Sequence, residues 1–205
     1  MEKKRKIAIS QRIDYIKDRE EHRDSLDQRL IEFIDSLNLT PLLIPNSLVN
    51  SGERLEGWLN SIKPNGILFS GGNNIGDFSS RDKTEKKIYQ WAIERSIPLF
   101  GICRGMQIIC QINGVNLKYV SNHVSVNHKI NLSNHNQLIT RKSFHEFAIQ
   151  DCPNDFKITH YTSDGIIEGI EHYSKNIKAI MWHPEREDIF FEYDKEMIKN
   201  FYEQS

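Results

Sequence analysis

Pro98-Leu99-Phe100-Gly101-Ile102-Cys103-Arg104-Gly105-Met106-Gln107-Ile108-Ile109 decides how the rest of the chain is read. An apolar run ends in Gly-x-Cys-x-Gly, and a helix-compatible run follows. That order of strand, sharp turn and helix is the pattern of a nucleophile elbow. At such a turn the nucleophile sits in a strained backbone conformation that pushes its side chain into the open. Glycines on either side let strand and helix approach without a Cβ clash. The helix N-terminus sets N–H groups and a partial positive charge beside the sulfur, and both favour the reactive thiolate. A free cysteine is often only a small buried hydrophobe, so reading Cys103 as a nucleophile depends on what the rest of the chain supplies.

Upstream, Gly66-Ile67-Leu68-Phe69-Ser70 reads as a strand running into Gly71-Gly72-Asn73-Asn74-Ile75-Gly76-Asp77. No Lys-Ser/Thr follows at P-loop spacing, and the glycines do not form Gly-x-Gly-x-x-Gly. Glycines after a strand can simply mark a tight turn. In a nucleophile-elbow enzyme, one oxyanion-hole N–H comes from a glycine-rich loop on a neighbouring strand and the other from the residue after the nucleophile. Gly71 or Gly72, with Arg104, fits such a pair. Downstream, Lys178-Ala179-Ile180-Met181-Trp182 reads as a buried strand ending in His183-Pro184-Glu185. Proline is expected to keep this turn extended, and side chains two apart on an extended segment share a face. Nε2 of His183 is then placed to accept the thiol proton while Glu185 holds the other ring nitrogen.

The remaining segments read as an α/β alternation. Lys6 to Ser10 is a first strand, and the charge-rich stretch from Gln11 to Arg23 reads as a loop. A loop leaving the C-terminal end of a parallel strand faces the ligand crevice of an open α/β sheet. From there Arg12, Arg23 and Arg29 could meet an anionic substrate group. Leu26, Leu30, Phe33, Ile34 and Leu37 recur at helical spacing after Asp24, a candidate cap. Pro41 to Pro45 is a second strand; Leu55 to Ile62, and Thr84 to Ser96, are further helices. The helix after Cys103 runs to the C-capping pair Asn113-Gly114. This pattern predicts a mostly parallel sheet with helices on both faces.

After Gly114 the texture becomes polar and histidine-rich, with His123, His128, His135 and His145 among expected short strands and loops. No His-x-x-x-His lies on a helix, and no Asp or Glu sits at ligand spacing beside them, so no metal is expected. Of the four, His145 is the one placed to line a site. Phe156 to Tyr161 and Ile166 to Glu171 read as a hairpin, and Ile189 to Tyr202 as a helix packing back on the sheet.

The 205 residues, 38% apolar and 27% charged, suit one α/β domain spanning 1–205. A formal net charge of −1 gives no global field for nucleic acid or membrane. Three cysteines without a CxxC suggest neither a disulfide framework nor a zinc knuckle, and point to a reducing cytoplasm. The basic start lacks an apolar signal core, and no stretch approaches membrane-spanning length.

Taken together, Phe69-Ser70-Gly71-Gly72, Gly101-Ile102-Cys103-Arg104-Gly105-Met106-Gln107, Ser143-Phe144-His145, Asp164-Gly165-x-x-Glu168-Gly169 and Trp182-His183-Pro184-Glu185 resemble the class I (triad) glutamine amidotransferase family. The wording is similar to its free-standing γ-glutamyl hydrolase branch. The resemblance implies a flavodoxin-like three-layer sandwich and a hydrolase of γ-glutamyl amides that needs no cofactor. It implies Cys103 as nucleophile, His183 and Glu185 completing the triad, and Gly72 and Arg104 as the oxyanion hole. Gly71, Gln107 and the backbone around Ser143 and Phe144 would help hold the glutamyl group. The N-terminal wording, Ile9 to Tyr15 and Glu21 to Arg29, departs from that branch. It resembles a subgroup of capsular-polysaccharide gene clusters that removes glutamate from γ-glutamyl-CDP-amidate to leave cytidine diphosphoramidate. A pyrophosphate-bearing leaving group gives Arg12, Arg23 and Arg29 a role. Two alternatives stay open: a glutaminase subunit passing ammonia to a separate synthetase partner, and a hydrolase of another amide such as γ-glutamyl-aminobutyrate.

Overall fold

A computed structural model describes residues 4–121, 123–133 and 138–204. Its strands are β1 (Lys6–Ile9), β2 (Arg12–Ile16), β3 (Glu21–Ser25), β4 (Thr40–Leu43), β5 (Gly66–Phe69), β6 (Leu99–Ile102), β7 (Lys118–Tyr119), β8 (Val124–Leu132), β9 (Leu138–Phe144), β10 (Phe147–Ala148), β11 (Phe156–Thr162), β12 (Ile167–His172) and β13 (Ile177–Ile180). Its α-helices are α1 (Gln28–Ser36), α2 (Arg54–Ile62), α3 (Ser79–Glu94), α4 (Arg104–Ile112) and α5 (Glu192–Glu203).

The central sheet runs β4-β1-β5-β6-β13-β12-β11-β8-β9. From β4 to β13 every neighbour is parallel. From β13 onward the strands pair antiparallel. Apart from the partly exposed edge strand β4, the parallel strands are short, largely buried apolar runs, as helices above and below require. Alternation sorts them. Ala8, Ile67, Phe69, Leu99 and Ala179 face a core shared with α2, α3 and α4, including Leu55, Leu59, Trp91 and Ile108. Ile7, Ile9, Leu68, Phe100 and Ile180 face the opposite core, filled by Phe33 and Ile34 of α1 and Ile198 and Tyr202 of α5. The result is the expected three-layer α/β architecture. Among the described residues no helix is long and apolar enough to cross a membrane.

Four segments differ from expectation. Gln11 to Arg23 is not a loop: β2 and β3 form an antiparallel hairpin, with Arg12 opposite Ser25 and Asp14 opposite Arg23. Both faces are largely polar, so no alternation marks it as strand. Asp24 does not cap α1. Asp27 does, accepting from Arg29 N at 3.0 Å, while the Asp24 carboxylate accepts from Asn46 N at 2.9 Å and Nδ2 at 2.7 Å. Helix α3 begins at Ser79, before Thr84, because its first turns bury charged residues that a hydropathy pattern reads as exposed. The histidine-rich region holds two long strands, β8 and β9, beside the expected short ones, β7 and β10.

The elbow explains its own glycines. A Cβ on Gly105 would lie 2.2 Å from the Phe69 carbonyl oxygen, and one on Gly101 would lie 2.8 Å from the Gly105 carbonyl carbon. The start of α4 therefore sits directly on the ends of β5 and β6. Gly105→Ala is expected to force the helix off the sheet and lower stability by at least the ~1–3 kcal/mol of an overpacked core. Thermal denaturation measures it; an unchanged Tm contradicts the packing.

Candidate active site

The carboxyl ends of β1, β5, β6 and β13 meet at one edge, where open α/β sheets gather ligands. Cys103 follows β6 with φ 52° and ψ −107°, a region that L-residues avoid. Its N–H is held by Ile180 O at 2.8 Å, and its carbonyl accepts from Met106 N and Gln107 N as α4 begins. The conformation is thus fixed from both sides. Arg104 opens α4, where first-turn N–H groups have no intrahelical acceptor.

His183 leaves β13 in extended conformation, and Pro184–Arg186 then form a short 3₁₀ turn, not the extended segment expected. The turn still brings Glu185 back to the ring: His183 Nδ1 lies 2.6 Å from Glu185 Oε1, with both residues buried. On its other side His183 shares a cleft with Cys103. Burial alone would pull the imidazole down, but Glu185 and Cys103 outweigh it and raise His183 from 6.5 to about 10. Gly71 lies against the ring, and a Cβ there would fall 2.6 Å from His183 Cε1.

What shapes the Gly71-Gly72 turn was not evident from sequence. Arg81, fully buried on α3, donates to the carbonyls of Ser70 at 2.8 Å, Gly71 at 2.9 Å and, closer still, Gly72. With three successive carbonyls turned to one guanidinium, the loop has little freedom. Glu85, one helical turn on, pairs with Arg81 at 3.3 Å and accepts from Ser10 Oγ at 2.8 Å. It also pairs with Arg104, whose second nitrogen pairs with Asp82. Ser10 and Ser70 lock the ends of β1 and β5 to each other through two further hydrogen bonds, at 3.0 and 2.6 Å. Burial raises the Glu85 carboxyl, and Arg104 and Arg81 more than reverse it, holding it below its ordinary value. Burial pulls Arg81 down to about 10, leaving it cationic at neutral pH. The Arg104 side chain therefore belongs to the scaffold.

Two clefts flank His183. One, of about 300 Å³, is lined by Cys103, Gly72, Arg104, Gln107, Phe144 and Arg186, with His145 beside them. The other, of about 230 Å³, is lined by Arg12, Asp14, Ser25, Gly71, Gly72 and Arg186. Both share Gly72, His183 and Arg186.

The structure brings Cys103, His183, Glu185, Gly71, Gly72, Arg104, Gln107, Phe144 and Arg12 into these clefts. Gln107 Nε2 donates to Phe147 O at 2.7 Å, which fixes its head at the cleft wall. Ser143 lines neither cleft, and its hydroxyl donates to His123 O at 2.6 Å. Arg12 packs on Gly72 and pairs with Asp14 at 2.7 Å. Arg23 does not reach either cleft; it pairs with Glu21 on the exposed hairpin. Arg29 is also not a lining residue. Its guanidinium donates to the carbonyls of Glu185, at 2.9 Å, and Glu187, and so holds the turn that carries Glu185. The missed cation is Arg186, whose guanidinium lies 4.8 Å from the Phe144 ring centroid.

A strained cysteine between a parallel strand and a helix, backed by a histidine–glutamate pair from the next strand, defines a nucleophile-elbow α/β protein. The model of the family Glutamine amidotransferase class-I matches residues 21–205, and the chain belongs to that family. It is 34% identical over 128 residues to a γ-glutamyl-CDP-amidate hydrolase of Campylobacter jejuni subsp. jejuni serotype O:2, covering 60% of this chain and 62% of that protein. The chain thus spans under two thirds of that relative. It is 31% identical over 157 residues to the carbamoyl phosphate synthase small chain of Gracilaria tenuistipitata var. liui, covering 70% of this chain and 38% of the other. A solved structure from Thermoplasma acidophilum, of a protein assigned as a GMP synthase subunit, shares the fold at TM-score 0.75 and 20% identity, over 99% of this chain and 94% of its own.

Proposed function

We infer that the protein hydrolyses a γ-glutamyl amide through a Cys103–His183–Glu185 triad. The observation that carries this is Cys103 in a left-handed backbone conformation, in one cleft with a histidine that Glu185 holds from behind. The Cys103 thiol gives its proton to His183 Nε2 as Sγ attacks the γ-carbonyl carbon, and the C=O electron pair moves to an oxyanion that accepts from the N–H groups of Gly72 and Arg104. The intermediate collapses, the C–N bond breaks, and His183 Nε2 gives its proton to the leaving nitrogen. Water then attacks the thioester, loses its proton to His183, and releases glutamate with return of the Cys103 sulfur. Glu185 Oε1 accepts from Nδ1–H throughout and stabilises the imidazolium. Gln107 and the Phe144–Phe147 wall hold the glutamyl end in the larger cleft.

The leaving group then occupies the cleft on the other side of His183. Arg12 and Arg186 are the cations there, and an anionic, phosphate-bearing group is the chemistry they suit. Binding would require Arg12 to exchange Asp14 for the ligand. This arrangement, with the name of the Campylobacter relative, supports γ-glutamyl-CDP-amidate as substrate and cytidine diphosphoramidate, a capsule precursor, as product. The names of the synthase relatives support a second reading, a glutaminase that feeds ammonia to a synthetase.

Glutamate release from γ-glutamyl-CDP-amidate, γ-glutamyl-aminobutyrate and glutamine separates the readings. Turnover of the first alone is expected. Turnover of glutamine only beside a partner synthetase favours the second reading and contradicts the first. Arg12→Ala and Arg186→Ala should each raise KM for the nucleotide-linked substrate about ten-fold or more, the worth of a charge-assisted hydrogen bond. Arg12→Ala should leave any residual glutamine hydrolysis within about two-fold, since Arg12 lines only the leaving-group cleft, where glutamine puts nothing.

A further inference from the structure

Beside the acyl cleft, under the β8–β9 hairpin, lies a second cluster that the amide chemistry does not use. His123 precedes β8, His128 lies on β8, His145 follows β9, and Glu168 sits on β12. One ligand-capable atom from each lies within 4.8 Å of those of the other three. The His123 ring centroid is 4.1 Å from that of His128 and 5.1 Å from that of His145. Glu168 Oε1 lies 3.3 Å from His145 Nε2 and 3.8 Å from His128 Nδ1. His123, His145 and Glu168 are 4%, 2% and 1% exposed. His135 of the same region lies outside the described residues.

Two features separate this cluster from an ordinary buried polar network. His123 Nδ1, His145 Nδ1 and Glu168 Oε2 are buried without a hydrogen-bond partner among the described residues, a state native interiors rarely keep. The carboxylate of Glu168 meets only imidazoles, with no lysine or arginine among its described ion pairs. A carboxylate also stands behind one histidine: His123 Nε2 is 3.1 Å from Asp164 Oδ2. Asp164 in turn accepts from the Thr162 hydroxyl. Metal-ligating histidines characteristically carry such a carboxylate on the far nitrogen, where it fixes the tautomer and ring orientation. With Nε2 committed to Asp164, Nδ1 is the atom His123 has left to offer.

We propose that His123, His128, His145 and Glu168 bind a structural zinc ion. Three imidazoles and one carboxylate match the donor set and coordination number of a closed, four-coordinate Zn²⁺ site. Bonds of about 2.0–2.2 Å to a central ion need only a modest contraction of the cluster. The ion would tie the β8–β9 hairpin to β12 and fix the segment from Phe144 to Phe147, which forms one wall of the acyl cleft. Its role is positional, and it takes no part in the amide reaction.

Elemental analysis of the full chain, purified without a histidine tag, tests this. The chain is then stripped with chelator and titrated with Zn²⁺ alone against a chromophoric competitor. About one Zn²⁺ per chain is expected, and Co²⁺ in its place should give the intense visible absorption of a tetrahedral site. Glu168→Gln, nearly isosteric, and His128→Ala should each weaken zinc binding at least about 100-fold, more than loss of an outer-shell partner would. Cys103→Ala should keep its zinc. Loss of zinc in Cys103→Ala would place the metal on the nucleophile and overturn the proposal. So would a full chain that takes up no stoichiometric zinc, or retention of tight binding by both ligand variants. The full-chain and Cys103→Ala results decide even where a ligand variant does not fold. None of these readouts depends on which amide is hydrolysed.

Discussion

Cys103→Ala should lose glutamate release by about four to six orders of magnitude while keeping its fold. In the mechanism proposed above, the sulfur is the atom on which the acyl group rests. Residual turnover would come from the oxyanion N–H groups and from binding alone. The substitution is small, at a site only 6% exposed, so lost packing is slight. Cys103→Gly separates strain from chemistry. Glycine adopts φ 52°, ψ −107° without the Cβ penalty, so this variant should be equally inactive yet more stable, by up to the ~1–3 kcal/mol stored at such positions. Activity assays with thermal denaturation check both; a Cys103→Ala protein with near-natural turnover would end the nucleophile assignment.

The largest stability loss is expected from Glu85. It is the shared anion of two buried arginines and the acceptor of Ser10. Glu85→Ala leaves Arg81 buried without its partner and Arg104 with only Asp82. Breaking a buried pair in this way costs about 3–5 kcal/mol. For a chain of this size the Tm should fall by roughly 6–20 °C. Replacing the network wholesale by apolar residues would cost less, because the penalty is that of an uncompensated charge. The pH dependence has a definite sign. The folded carboxyl titrates below its ordinary value near 4.5, so its contribution is present above that pH and is lost as pH falls through the folded value. The Tm difference between the natural chain and Glu85→Gln should therefore be constant from pH 7 to about pH 5 and narrow below it. A difference that widened in acid would contradict the ion-pair account. Because Arg81 shapes the Ser70–Gly72 turn, Glu85 variants should also lose kcat.

The elbow was legible because its physics is local. Gly101 and Gly105 are required by contacts within a few residues of Cys103, so the spacing itself carries the signal. His183 and Glu185 are likewise neighbours in sequence, and their hydrogen bond survives the unexpected 3₁₀ turn between them. Arg81 and Glu85 were not legible. They are charged residues with 0% exposure, and hydropathy assigns such residues to solvent. The histidine cluster was illegible for a different reason. Its four members are brought together by the register of β8 on β9 and of β12 on β11, a relation that spacing along the chain does not encode. The arginines divided for the same reason. Arg12 follows directly from β1 and lands at the site, whereas the fates of Arg23 and Arg29 depend on a hairpin and on a turn over 150 residues away.

The last helix closes the first half of the sheet. Tyr202 donates to Ile67 O at 2.8 Å, its ring fills the space where a side chain at Gly66 would stand, and Arg5 donates to its carbonyl. During synthesis the ribosome therefore releases β1, α1, β5 and β6 long before Ile198 and Tyr202, which complete the cover of the Ile7, Leu68 and Phe100 face. Until α5 emerges, that face is covered by α1 alone and part of it stays an open apolar surface on a nascent chain, the condition in which partly made proteins aggregate or recruit chaperones. The elbow is encoded early, but the cover of its strand is complete only when α5 arrives.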